Sequence, residues 1–206
     1  VSLCLANIDV AILCGGLGTR IAPVLGSTPK CLAPVNGRPF IEYLLRFLTQ
    51  RHGAKKVILC TAHGADAILD WASKWPVIVS VEAEPTGTVG AIRSARRFLT
   101  SDPVLVCNGD TLIDCPEFAD FVERFNTDYC SLMLHADSLN SGVFPSGFTL
   151  LSRSGIAHLT DSGERDLPPY LNLVDRRRDT RRGSYFDIGT PDAYARSVRW
   201  VLEHAA

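Results

Sequence analysis

An α/β protein is the fold class this sequence predicts: a three-layer αβα, Rossmann-like arrangement in which helices cover both faces of a mostly parallel, twisted sheet. Three observations predict it. Largely apolar runs occupy residues 8–14, 56–60, 77–81 and 103–107, and near-continuous runs of this kind suit strands buried on both faces. Between them, apolar residues recur at helical spacing, so strand and helix alternate along the chain. The first run also ends in Gly15-Gly16-Leu17-Gly18, three glycines within four positions. A buried strand that stops in such a loop lets main-chain N–H groups approach a ligand closely.

Taken in order, the first strand leads into the glycine loop, and prolines at 23, 29 and 34 forbid a long helix directly after it. Pro39 suits the first turn of a helix carrying Phe40, Leu44, Phe47 and Leu48, which Gly53 closes. The strand at 56–60 is expected to pair in parallel with the first. Ala65 to Trp75 forms a helix with Ile68, Ala72 and Trp75 on one face, stopped by Pro76; its tryptophans read as packing residues. After the strand at 77–81, the turn Glu84-Pro85-Thr86-Gly87-Thr88 opens a helix bearing Ile92, Ala95, Phe98 and Leu99. The strand at 103–107 runs into Asn108-Gly109-Asp110-Thr111. A helix is expected over Glu117 to Asn126 and a strand over Tyr129 to Leu134. Asp137 to Gly147 reads as a loop because Ser, Asn, Gly and Pro dominate it; a further strand, Phe148 to Leu151, follows. The run Arg176 to Arg182 reads as a solvated charged loop. Tyr185-Phe186-Asp187 is a short strand ending in a carboxylate, with Thr190 and Pro191 as N-cap and first residue of a last helix that buries Tyr194, Val198, Val201 and Leu202.

Length and composition bound the function. A chain of 206 residues suits a single domain, 1–206, burying roughly 70% of its unfolded surface. Lys plus Arg number 21 against 22 Asp plus Glu, so no basic field argues for nucleic acid, and the expected partners are small molecules. Seven cysteines lack any C-x-x-C pair and read as small buried hydrophobes in a reducing, cytoplasmic setting. The apolar N-terminal stretch has no basic region before it and reads as a first strand, with no signal peptide and no membrane span expected. Homo-oligomer formation is left open.

Two nucleotide motifs fail on spacing. A dinucleotide fingerprint needs G-x-G-x-x-G running straight into a helix, and a Walker loop needs Gly-Lys-Ser/Thr; this chain has G-G-x-G followed by Thr19-Arg20. What remains is a glycine loop with Arg20 and Lys30 beyond it, and Asp110 and Asp187 each just past a strand. Cations can balance phosphate charge, and two carboxylates can hold Mg²⁺ in the crevice at the carboxyl ends of the strands.

Gly15-Gly16-Leu17-Gly18-Thr19-Arg20 together with Pro29-Lys30-Cys31-Leu32-Ala33-Pro34-Val35 resembles the opening motif of the sugar-1-phosphate nucleotidylyltransferases. Glu84-Pro85-Thr86-Gly87-Thr88, Asn108-Gly109-Asp110 and Phe186-Asp187-Ile188-Gly189-Thr190-Pro191 are similar to its later motifs, in the same order. Within that family the resemblance is to guanylyltransferases for D-glycero-α-D-manno-heptose 1-phosphate and mannose 1-phosphate. It implies transfer of a nucleotidyl group from a nucleoside triphosphate, GTP, to a sugar 1-phosphate with release of pyrophosphate. It also implies that Gly15, Gly16, Gly18, Thr19 and Asn108 bind the nucleotide, with Glu84, Gly87 and Thr88 near the base. Arg20, Lys30 and Asp110 would carry the reaction, and Asp110 and Asp187 would hold Mg²⁺. Two departures stand out: Cys31 replaces a proline, and no Glu-Lys pair occurs on the sugar side, which implies a shortened lobe there. The competing expectation is a binding module without turnover.

Overall fold

The structure is a computed structural model that describes residues 3–126, 128–138, 142–161, 165–167 and 177–204. Its elements follow the alternation expected. In chain order they are β1 (Asp9–Leu13), α1 (Ala22–Leu25), β2 (Pro34–Val35), β3 (Arg38–Pro39), α2 (Phe40–Arg46), β4 (Val57–Thr61), α3 (Ala65–Ala72) and β5 (Ile78–Val81). Then come α4 (Gly87–Ala95), β6 (Val104–Asn108), β7 (Thr111–Asp114), α5 (Phe118–Glu123), β8 (Ser131–Ser138), β9 (Gly142–Leu151), α6 (Arg153–Asp161), β10 (Arg178–Arg182), β11 (Ser184–Asp187) and α7 (Pro191–His204). Among the described residues, the main sheet has seven strands in the order β10-β8-β9-β6-β1-β4-β5. Within it β9 alone runs against the others. The mostly parallel sheet is therefore present, and β4 pairs with β1 in parallel as expected.

Side chains of one strand alternate between two cores, which makes three layers. Val10 and Ile12 of β1 face a cluster that holds Phe40, Leu44, Ile68, Phe118 and Phe121 from α2, α3 and α5. Ala11 faces the other side, against Val89 and Ile92 of α4 and Ile156 and Leu159 of α6. All seven cysteines are free thiols, and five are buried. Burial, and then the negative charge of Glu82, pushes the Cys60 thiol up to about 12. Trp71 and Trp75 stack with ring centroids 5.4 Å apart and pack against the first core. No described helix is long and apolar enough to cross a membrane.

Two sequence readings are corrected. The stretch 137–147 is not a loop: outside residues 139–141, which are not described, it forms the ends of the β8–β9 hairpin, Asp137 pairing with Val143 and Ala136 with Phe144. A bulge between Leu134 and His135 lets Ser146 and Gly147 leave the ladder, and the buried Ser146 hydroxyl donates to the Leu134 carbonyl at 2.7 Å. Nor is the arginine run a solvated loop. Arg178–Arg182 is the edge strand β10, parallel to β8, and its buried Asp179 accepts from Arg181 at 2.9 Å and from Arg124 at 3.3 Å. Charged residues suit a strand edge that must not recruit another strand. Arg176 and the Leu202 side chain lie outside the described residues. The helix expected to run through Leu48 ends as α at Arg46 and continues as a π turn over Phe47–Arg51.

His52, at the end of that π turn, is 4% exposed, and its ring lies 4.6 Å from the rings of both Phe47 and Phe118. Burial, and then the nearby charge of Arg51, lowers its pKa to about 4. The unfolded chain takes up this proton near pH 6.5 while the folded chain resists, so stability is complete above that pH and falls as pH drops toward 4. The expected loss is about 2–3 kcal/mol. Urea unfolding at pH 7 and at pH 4.5 checks it: His52→Gln should flatten the difference between the two.

Candidate active site

In a parallel sheet, ligands bind beyond the carboxyl ends of the strands where successive crossovers diverge. Here that point lies between β1 and β6. From β1 the chain winds one way through β4 and β5, then returns to place β6 on the other side of β1. Leu13 at the end of β1 pairs with Asn108 at the end of β6, which sets the glycine loop beside Asn108-Gly109-Asp110. The Gly109 amide donates to the Leu13 carbonyl at 2.9 Å. A Cβ at Gly109 would stand 2.9 Å from that same carbonyl oxygen and from the Cys14 sulfur, so only glycine allows this approach.

Asp187 comes from 77 residues further along the chain. Antiparallel pairing of β11 with β7 sets Asp187 opposite Thr111, and the Ile188 amide donates to the Asp110 carbonyl at 3.1 Å. The two carboxylates then line one cavity of about 300 Å³ together with Arg20 and Arg196. Lys30 lies on the other side of Asp110, its Nζ 2.6 Å from Asp110 Oδ2. Asp187 Oδ1 accepts from the Gly189 amide at 2.7 Å. Tyr185 also lines this cavity: burial, and then the charges of Asp187 and Asp110, push its pKa up to about 12, against a hydrogen bond with Thr111.

A second cavity, of about 400 Å³, opens on the glycine-loop side. Gly15, Gly16, Lys30, Gly87, Thr88, Asn108 and Asp110 line it, so seven of the expected residues meet at one place. A third, of about 480 Å³, lies toward β8 and β9 and is walled by Met133, Pro145 and Phe148. Asn108 borders all three cavities. Gly147, at φ +81°, packs against it, since a Cβ there would lie 2.8 Å from Asn108 Nδ2.

Some expected residues stand elsewhere. Gly18, at φ +62°, offers its carbonyl to the amides of Ile21 and Ala22 and so shapes the loop's exit into α1. Thr19 and Glu84 are exposed and lie outside the three cavities; Glu82, hydrogen-bonded to Thr86, faces the glycine-loop cavity instead. Arg165 and Asp166 also line it, and no sequence signal marks them. They arrive because the Arg165 carbonyl accepts from the Val89 amide at 2.9 Å and the Leu167 amide donates to Thr88 Oγ1 at 2.6 Å. Arg196, likewise unmarked, follows Thr190 by six positions on α7. A reading of α7 for its polar face would have found it.

Asp110, Asp187 and Asn108 offer hard oxygen atoms with room beside them, which is the donor chemistry that Mg²⁺ takes. Both carboxylates line the same cavity, where a divalent cation could balance their charge. The residues fit the metal.

Known proteins resemble this chain. A D-glycero-alpha-D-manno-heptose 1-phosphate guanylyltransferase from Campylobacter jejuni is 37% identical over 107 residues, covering 50% of this chain and 48% of the relative. A mannose-1-phosphate guanyltransferase from Yarrowia lipolytica is 31% identical over 127 residues, 57% of this chain and 35% of the relative. The chain spans about half the length of the first of these, or less in the second. Among solved structures, HddC from Yersinia pseudotuberculosis complexed with GMP-PN superposes with a TM-score of 0.77 at 25% identity, over 94% of this chain and 99% of that one. The family description that matches residues 10–168 is the MobA-like NTP transferase domain, and that match holds β1 from Val10 onward, the glycine loop, Lys30 and Asp110 in a single span. The chain belongs to the MobA-like NTP transferase domain family.

Proposed function

We propose that this chain is a Mg²⁺-dependent nucleotidylyltransferase that joins GTP to a sugar 1-phosphate of the heptose or mannose type, giving a nucleotide-sugar and pyrophosphate. The observation that carries the reading is the Lys30–Asp110 pair at 2.6 Å, set between the glycine-loop cavity and the cavity that holds Asp187. The names of the relatives support the guanylyl and sugar assignments.

In the reaction, a phosphate oxygen of the sugar 1-phosphate attacks the α-phosphorus of GTP. The new P–O bond forms in line with the bond to the β-phosphate, which breaks and leaves with its electron pair as pyrophosphate. The protein supplies position and charge for this step. Backbone amides of the Gly15-Gly16 loop can hold phosphate oxygens, and Lys30 balances charge that builds on the α-phosphoryl group. Arg20 serves the pyrophosphate end from the Asp187 cavity. Gly87, Thr88 and Glu82 border the space available to the base. Mg²⁺ held by Asp110 and Asp187 would neutralise phosphate charge and bring the two anionic substrates together.

A binding module without turnover is the second reading, favoured by the absence of any Glu-Lys pair. A matrix of the four nucleoside triphosphates against a panel of sugar 1-phosphates, read as pyrophosphate release with Mg²⁺, separates the two. The proposal expects turnover with GTP and a manno-configured sugar 1-phosphate. Tight nucleotide binding with no turnover in any pairing would establish the module instead.

A further inference from the structure

The two carboxylates share their 300 Å³ cavity with two guanidinium groups, and only Arg20 belongs to the motifs that organise the site. The second, Arg196, stands on the second turn of α7. That helix is fixed against the site from both sides. Thr190 Oγ1 caps it by accepting from the Ala193 amide at 3.3 Å, and the Ser197 hydroxyl, next to Arg196, lies 3.0 Å from the main-chain carbonyl of Asp187. Tyr194 also reaches the Pro34 carbonyl. Arg196 is thus carried on a rigid element anchored to the strand that delivers Asp187. Neither Arg20 nor Arg196 has an ion-pair partner among the described residues. Two arginines of the 177–182 run are committed elsewhere: Arg181 to Asp179 and Glu117, and Arg177 to the face of Tyr129 at 3.7 Å. Two uncommitted, always-charged planar donors beside two carboxylates make a place for a phosphate group bridged to a divalent cation.

We propose that Arg196 is a phosphate-binding residue of the site, acting with Arg20 on a phosphate group held beside Asp110 and Asp187. The inference rests on the nucleotidylyltransferase reading for the identity of its ligand, a phosphate group of either the sugar 1-phosphate or the triphosphate.

The test is Arg196→Gln in the full chain, with Arg196→Lys and Arg199→Gln beside it; Arg199 is exposed on the same helix and does not line the cavity. Each substrate is varied at saturating concentration of the other, and the affinity for inorganic pyrophosphate with Mg²⁺ is read by calorimetry. Loss of a charge-assisted hydrogen bond should raise the affected KM about ten- to a hundredfold, with kcat changing much less. Arg196→Lys should recover part of the loss, and Arg199→Gln should behave as wild type. A rise confined to the sugar 1-phosphate assigns Arg196 to the acceptor. A rise in the GTP KM together with weaker pyrophosphate binding assigns it to the triphosphate. If both KM values and the pyrophosphate affinity stay within about twofold of wild type, or if Arg199→Gln has the same effect, the inference is overturned. Should the wild type show no turnover at all, the functional reading fails, while calorimetry of the variants with pyrophosphate and with mannose 1-phosphate, each with Mg²⁺, still decides the role of Arg196: it is overturned if neither affinity changes. If Arg196→Gln does not fold, the Lys variant, which keeps the charge and loses the fork, is expected to weaken binding several-fold.

Discussion

Replacing Asp110 by asparagine is expected to lower turnover about a thousandfold, equivalent to about 4 kcal/mol of barrier, with the far-UV circular dichroism unchanged. The size follows from the two uses of one charge. Asp110 Oδ2 receives Lys30 Nζ at 2.6 Å, and the same carboxylate faces the cavity that it shares with Asp187 and Arg20. An amide of the same shape keeps the packing. It leaves Lys30 without its anion and removes half of the negative charge available to Mg²⁺. The Mg²⁺ concentration that gives half-maximal rate should therefore rise along with the loss in kcat. Pyrophosphate release measured across a Mg²⁺ series checks both. A variant within about tenfold of wild type would mean that the Lys30–Asp110 pair does not stand at the reacting centre.

The second large effect is on stability. Phe118→Ala should destabilise the fold by about 3–5 kcal/mol, lowering the melting temperature by roughly 10 °C or more for a domain of this size. Phe118 is fully buried and sits at the centre of an aromatic group, its ring centroid 5.1 Å from Phe47, 5.8 Å from Phe121, 5.8 Å from Phe148 and 4.6 Å from His52. These rings come from α2's π turn, α5 and β9. A small residue there opens a cavity among aromatic neighbours that cannot collapse together, because they are held on three separate elements. Phe118→Leu keeps most of the volume and should cost less than half as much. Thermal and urea unfolding of the two variants measures the difference.

The strands β1, β4 and β6 and the helices α2 to α5 were legible because each carries its own periodicity, and buried parallel strands announce themselves as apolar runs. The β8–β9 hairpin was hidden by its composition. Pro145 sits where β9 pairs with His135 of β8, beyond the stretch that pairs with β6, so its missing N–H breaks no ladder on the other side. Gly142 and Gly147 occupy positive φ, which reads as turn chemistry although both lie in a strand. For β10, charges that look solvated in sequence are partly buried in space, because Asp179 and Arg181 find each other and Glu117 across the edge.

At the site, Gly15, Gly16, Lys30, Asp110 and Asp187 could be named from sequence because each follows the end of a predicted strand or the loop after it. Arg165 and Asp166 could not. Their place depends on backbone bonds to residues near 88, and separations of that length leave no local trace. Arg196 carries no motif of its own, and Asp187 reaches its side of the crevice only through the pairing of β11 with β7.

The most direct test of nucleotidyl transfer is ³¹P NMR of the purified chain with GTP, mannose 1-phosphate or a manno-heptose 1-phosphate, and Mg²⁺. The predicted spectrum loses the three triphosphate resonances and the sugar phosphomonoester together, and gains the coupled pair of a sugar–nucleoside diphosphate and the single resonance of pyrophosphate. Persistence of the sugar phosphomonoester, whether GTP stays intact or is merely hydrolysed to diphosphate and phosphate, would contradict attack at the α-phosphorus by the acceptor.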